Sequence, residues 1–152
     1  LNLRAESFPE AVIETIKTLG HDASPEIRIR ALQAAERHNV PHLSEFLRAR
    51  TSHSGFFELP YSERRLLLVL LLQHEPRVAQ RSAVDILKAH GLKPDDSRST
   101  TRLIAVEILS QLPATPEVLE TLQAATKRRP WNSKELQEAA ANALVRLRGR
   151  VL

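Results

Sequence analysis

The chain contains no cysteine and no methionine, four glycines, and one tryptophan and one tyrosine among its 152 residues. Without cysteine there is neither a disulfide framework nor a Cys-ligated zinc or iron–sulfur site. The longest aliphatic run, Leu66 to Leu72, is far short of the roughly 20 residues a membrane-spanning helix needs, so no membrane partner is expected. No charged segment followed by an apolar one marks a secretion signal, and a cytoplasmic location is expected. Period-2 alternation bounded by turn residues is missing, so no strand is expected. No Gly-rich phosphate loop, G-x-S-x-G or H-E-x-x-H motif occurs, and neither catalysis nor a cofactor is expected. His38 and His42 stand four apart, but Pro41 separates them onto different elements, so no metal pair is expected.

What is present is a globular composition, 42% hydrophobic and 26% charged, long enough for one domain over residues 1–152 with a real core. Because the chain opens on Leu1 and lacks methionine, it is expected to be a segment of a longer polypeptide, or one trimmed at its start. The net charge of +4 is uneven. Residues 1–76 hold nine Lys/Arg against ten Asp/Glu, and residues 77–152 hold thirteen against eight. An anionic partner would therefore meet the second half.

Helix signals dominate the pattern. Ser24-Pro25-Glu26 and Thr115-Pro116-Glu117 each read as N-cap, proline at the first helical position and acid in the first turn. Ser7 before Pro9-Glu10 is a looser version, and Asp95-Asp96 reads as a turn and N-cap. Gly20, Gly91 and Gly149 stand where a glycine stops a helix. The spacing predicts eight helices, over 8–19, 24–38, 42–51, 61–74, 76–90, 98–112, 116–128 and 133–148.

These helices repeat. From Arg28, steps of 37, 37 and 35 reach Arg65, Arg102 and Gln137. Three residues after each anchor stand Ala31, Leu68, Ala105 and Ala140. Six after stand Ala34, Leu71, Ile108 and Ala143, and seven after stand Ala35, Leu72, Leu109 and Leu144. Offsets of three, six and seven share one helix face, so each repeat is expected to bury the same stripe. The helices pair as repeats of about 8–39, 41–75, 76–112 and 115–149, and a lone pair cannot bury its apolar face, so the pairs must stack.

The stretch VIETIKTLGHDASPEIRIRALQAAERH resembles a HEAT repeat, with Asp22, Ile27, Arg28 and Ala31 in the expected roles. Asp96 stands before Arg102 at the same offset of six. The second repeat places Leu59 at the Asp position, and the fourth places Trp131 there with Gln137 for the Arg. The resemblance implies an all-α, right-handed superhelical solenoid of four helix pairs, in which such Asp and Arg residues tie a turn to the neighbouring repeat. It implies little about function, because this scaffold hosts many, HEAT-like DNA glycosylases and bilin lyases among them.

The register isolates an anomaly. Offsets of two, five and nine face away from the buried stripe and hold Arg30, Gln33 and Arg37 in the first repeat and Ala139, Asn142 and Arg146 in the fourth. In the second they hold Leu67, Leu70 and His74, and in the third Ile104, Glu107 and Gln111. Leu67, Leu70 and Ile104 are thus expected either to form an apolar patch for a partner segment, or to be covered by the connector TSHSGFFELP (51–60) with Phe56, Phe57 and Leu59. In the first case Arg30, Arg37 and Glu107 would set orientation and charge preference, with Arg102 either assisting or committed to Asp96. The partner would be another protein or another domain of the same chain. The runner-up is nucleic acid, held through Lys127, Arg128, Arg129 and Arg146. One Trp and one Tyr make a poor stacking platform, and the cations after the seventh helix also suit its dipole.

Overall fold

The computed structural model describes residues 10–89 and 95–150. Among them every regular element is helical: α1 (Glu10–Leu19), α2 (Pro25–Arg37), α3 (Leu43–Ser52), α4 (Tyr61–His74), α5 (Pro76–Lys88), α6 (Asp96–Ser110), α7 (Pro116–Ala125) and α8 (Lys134–Arg150). A 3-10 turn, Ser54–Glu58, shapes the long connector, which the sequence left without structure. The expected cap at Ser7 and the stop at Gly91 lie outside the described residues.

Proline starts and polar caps carry several of these boundaries. Pro25, Pro76 and Pro116 open α2, α5 and α7. Thr115 accepts the Val118 N–H at 3.3 Å, and Asp95 accepts that of Ser97 at 3.1 Å, each satisfying a donor the helix leaves open. Ser24 stands at the N-cap of α2 without a side-chain cap bond. The glycine stops fare differently. Gly20 has no positive φ, and Gly149 lies inside α8. The left-handed stop belongs to Asn39, at φ 50°. There Val40 N–H donates to Ala35 O (3.0 Å) and Asn39 N–H to Glu36 O (3.3 Å), the bond pair of a Schellman motif, with Val40 buried.

The chain divides into two compact units, Leu1–Phe46 and Leu47–Leu152, with the division inside α3. In the first unit α1 packs on α2. Its buried apolar residues are Ala31, Leu32, Ala35, Val40 and Leu43.

The second unit holds the larger core. α5 packs on α4 and α6, and α7 on α8. α4 also touches α6, α6 touches α8, and α5 touches α7. The residues three places after each anchor, Ala31, Leu68, Ala105 and Ala140, are all buried, three of them small enough to let backbones approach. Glu63, 1% exposed, meets Arg50 at 3.7 Å.

Two buried arginines fasten the turns of this unit. Arg64 donates through Nε to Leu59 O (2.9 Å), through Nη1 to Ser97 O (2.6 Å) and Thr100 Oγ1 (3.0 Å), and also to Thr101 Oγ1. Arg102 donates to Trp131 O (2.5 Å), Leu87 O (3.0 Å) and the Asn132 side-chain oxygen (3.0 Å). Its partners are therefore not Asp96, as the family resemblance implied. In the first unit Arg28 donates to Asp22 O (2.7 Å) and Ala23 O (3.1 Å). Arg28 and Arg64 thus each reach a backbone carbonyl in the turn before their own helix, at Asp22 and Leu59, whereas Arg102 reaches forward to Trp131 O in the next repeat. A backbone carbonyl can accept whatever side chain its residue carries, so leucine and tryptophan are compatible with these positions.

Candidate functional site

Leu67, Leu70 and Ile104 are 0%, 4% and 1% exposed, so they form no surface patch. Of the seven residues from Leu66 to Leu72, none is exposed. α4 and α6 touch each other and share α5, and the connector's 3-10 turn packs on α6 with Phe56 buried. The outward register therefore fails at Leu67, Leu70 and Ile104, while His74 and Gln111 at its last offset stay exposed.

Glu107, expected to be free to set charge preference, is held by Arg65 in a two-pronged contact, Nη2 to Oε1 at 2.5 Å and Nε to Oε2 at 3.2 Å. That hydrogen bond with Glu107 raises the Arg65 pKa above its ordinary value. Arg65, the anchor chosen from the spacing, is thus a surface clasp between α4 and α6. Its neighbour Arg64 does the fastening, and burial pulls the Arg64 pKa down. Nothing in the spacing separated two adjacent arginines. Arg30 and Arg37 are exposed, as the register predicts.

Three of the five exposed large apolar or aromatic side chains among the described residues, Val12, Leu19 and Ile27, lie in the first unit, where sequence reasoning did not place a site. No residue of α1 is buried, although Val12, Ile13, Ile16 and Leu19 recur at helical spacing. Val12 is 38%, Leu19 37% and, on α2, Ile27 38% exposed. Beside this face a cleft of about 520 Å³ is walled by Ile16, Ala31, Leu32, Val40, Leu43 and Phe46, within the range of ligand-sized pockets. Lys17, His21, His42 and Glu45 also line it.

Local chemistry builds this cleft. The turn Asn39–His42 forms one side of it, and both ends of that turn are left-handed, with His42 at φ 66°. His42 O accepts the Phe46 N–H at 3.1 Å, starting α3, and its ring stands 3.5 Å from Glu45. His21 meets the Phe46 ring edge to face at 5.4 Å. Gly20 permits this closeness, since a Cβ there would lie 3.2 Å from Phe46 Cζ.

The basic cluster also stands on the surface. Lys127, Arg128 and Arg129 are exposed after α7, and Arg146 is exposed on α8. Lys127 and Arg129 line a second cleft with Lys88, Arg102, Trp131 and Asn132. Arg128 and Arg146 do not line it, so the structure brings together only part of the predicted anion contact. Among the described residues no group of three or more His, Asp or Glu side chains is placed to hold a metal. No described helix is long and apolar enough to cross a membrane.

No protein-family model, curated protein or solved structure matches the chain.

Proposed function

We propose that the chain is a non-catalytic binding scaffold of stacked HEAT-like helix pairs that holds a polypeptide partner, on another protein or elsewhere in the same polypeptide. The stacked-pair reading is supported by the contact order in the second unit, where second helices touch second helices and first touch first. It is also supported by the buried residue at the same offset in each repeat, an alanine in three of the four. The right-handed superhelix follows from the family resemblance.

One observation carries the binding reading: α1 has an apolar stripe with no buried residue, beside an open apolar cleft in the same unit. Burying one leucine is worth about 1.5–3 kcal/mol. A short apolar segment laid against Val12, Ile16 and Leu19 would recover that energy, as in helix-in-groove recognition. Surface patches of this kind mark interaction sites.

The test is site-specific photo-crosslinking from position 19 in cells. A discrete protein adduct, lost when Ile16→Glu is added to the cross-linking chain and kept when Lys127→Ala is added, is expected. Absence of a discrete adduct, or an adduct indifferent to Ile16→Glu, contradicts the reading. A nucleic-acid reading rests on a different observation, the exposed Lys127, Arg128 and Arg129. It requires an affinity that falls steeply with salt, whereas apolar docking resists salt.

A further inference from the structure

The cleft of the second unit, about 350 Å³ in volume, separates its charges. Lys88, Arg102, Lys127 and Arg129 line it together with Glu117 and Glu120. The two acids sit in the first turns of α7, a helix about 15 Å long, and Lys127 and Arg129 follow its other end. Among the described residues none of these six groups forms an ion pair, although all border one cavity.

The ordinary reading of cations after a helix is that they satisfy its last carbonyls. Here other groups already do so. The Thr126 N–H and hydroxyl reach Gln123 O, and Thr126 N–H also reaches Leu122 O. Asn132 donates to Ala124 O (3.1 Å) and Lys127 O (3.0 Å). Arg102 takes Leu87 O near the end of α5 and Trp131 O in the turn. The Lys127 and Arg129 side chains are left outside this capping. Arg102 itself is 5% exposed, bonded to neutral oxygens, and its Nε lacks an acceptor. A buried guanidinium without a carboxylate adds positive potential at this end of the cleft, and burial lowers its pKa accordingly.

We infer that this cleft binds a small phosphorylated amine, its phosphate at the Lys88, Lys127 and Arg129 end and its ammonium toward Glu117 and Glu120. Phosphate suits lysine and arginine donors together. The separated carboxylates, which would repel a plain anion, become the second half of the site. This inference stands apart from the apolar cleft of the first unit and does not depend on it.

The test is titration of the full chain with phosphoethanolamine and, separately, with inorganic phosphate, followed by calorimetry at ionic strength fixed with sodium chloride. Saturable binding of phosphoethanolamine is expected, about tenfold or more tighter than phosphate, one such factor being about one well-placed charge contact. Lys127→Ala/Arg129→Ala, two exposed positions, is expected to weaken both ligands at least about tenfold. Glu120→Gln is expected to remove the advantage of the amine and to leave phosphate binding equal or slightly tighter. Arg146→Ala, outside the cleft lining, is expected to change neither. Vesicles containing phosphatidylethanolamine separate a lipid headgroup from the free molecule: co-sedimentation lost in the double variant assigns the headgroup, and its absence beside binding in solution assigns the free ligand. No saturable binding of either probe, or binding indifferent to the double variant, overturns the inference. Equal affinities unaffected by Glu120→Gln overturn its two-ended form, and an oligonucleotide that binds while both small probes fail replaces it with a nucleic-acid surface.

Discussion

Adjacent residues of one type carry different work. Arg64 and Arg65 follow each other in α4, yet the first is buried among carbonyls and threonine hydroxyls and the second forks onto Glu107 at the surface. Removing Arg65 breaks an exposed pair, and Arg65→Ala is expected to cost under about 1 kcal/mol. Arg102→Ala strands Trp131 O, Leu87 O and the Asn132 oxygen and is expected to cost about 3 kcal/mol or more. Urea denaturation of the two variants checks this ordering, and equal losses would contradict it. The lowered pKa values of Arg64 and Arg102 have a defined sign. Burial disfavours the charged form in the folded state, so the penalty holds below the folded pKa and would lift only as pH rises through it. Arginine stays charged through any ordinary folding experiment, so these two groups are expected to add no pH dependence near neutrality. Asn39 is a third residue-scale case. Its left-handed conformation suits glycine, so Asn39→Gly is expected to be nearly neutral and Asn39→Ala to cost about 1 kcal/mol in thermal melts.

At the scale of helices, periodicity carried the pattern well and the surroundings poorly. Eight helices, three of them opening on proline, were legible because proline, cap residues and 3.6-residue spacing act locally. The Ala31, Leu68, Ala105 and Ala140 stripe was legible because it repeats. The fate of Leu67, Leu70 and Ile104 was not, since an aliphatic run reads alike whether a neighbour or a partner covers it. That distinction needs the contacts of α4 with α6 and of the 3-10 turn with α6. The open face of α1 was illegible for the converse reason: its spacing is that of a buried helix, and only the structure leaves it uncovered. The cation side of the second cleft was half legible, because the Lys127-Arg128-Arg129 run is visible in sequence while Lys88 and Arg102 arrive from α5 and α6. The exposed stripe of α1 also predicts a dynamic difference. With no buried residue to hold it, α1 is expected to exchange its amide hydrogens earlier than α6, whose Thr101, Ile104, Ala105 and Ile108 are buried. Hydrogen exchange resolved by peptide checks this, and slower exchange in α1 would contradict it.

For the molecule as a whole, the two proposed binding surfaces have opposite character because of how charge and apolar area are placed. The first unit offers apolar area edged by Lys17, His21, His42 and Glu45, and the second offers a charge-separated cleft. Their ligands should respond oppositely to salt: the polypeptide held by the first unit is expected to keep its affinity as sodium chloride rises, while the phosphorylated ligand of the second weakens. The first expectation rests on one claim, that the aliphatic run of α4 is core and that α1 carries an open apolar face. Equilibrium denaturation of Leu67→Glu beside Val12→Glu tests it most directly. The account predicts that Leu67→Glu loses several kcal/mol or fails to fold, because a charge enters a closed core, and that Val12→Glu changes stability by less than about 1 kcal/mol. A tolerated Leu67→Glu with a crippled Val12→Glu would contradict it and return the partner site to the middle of the chain.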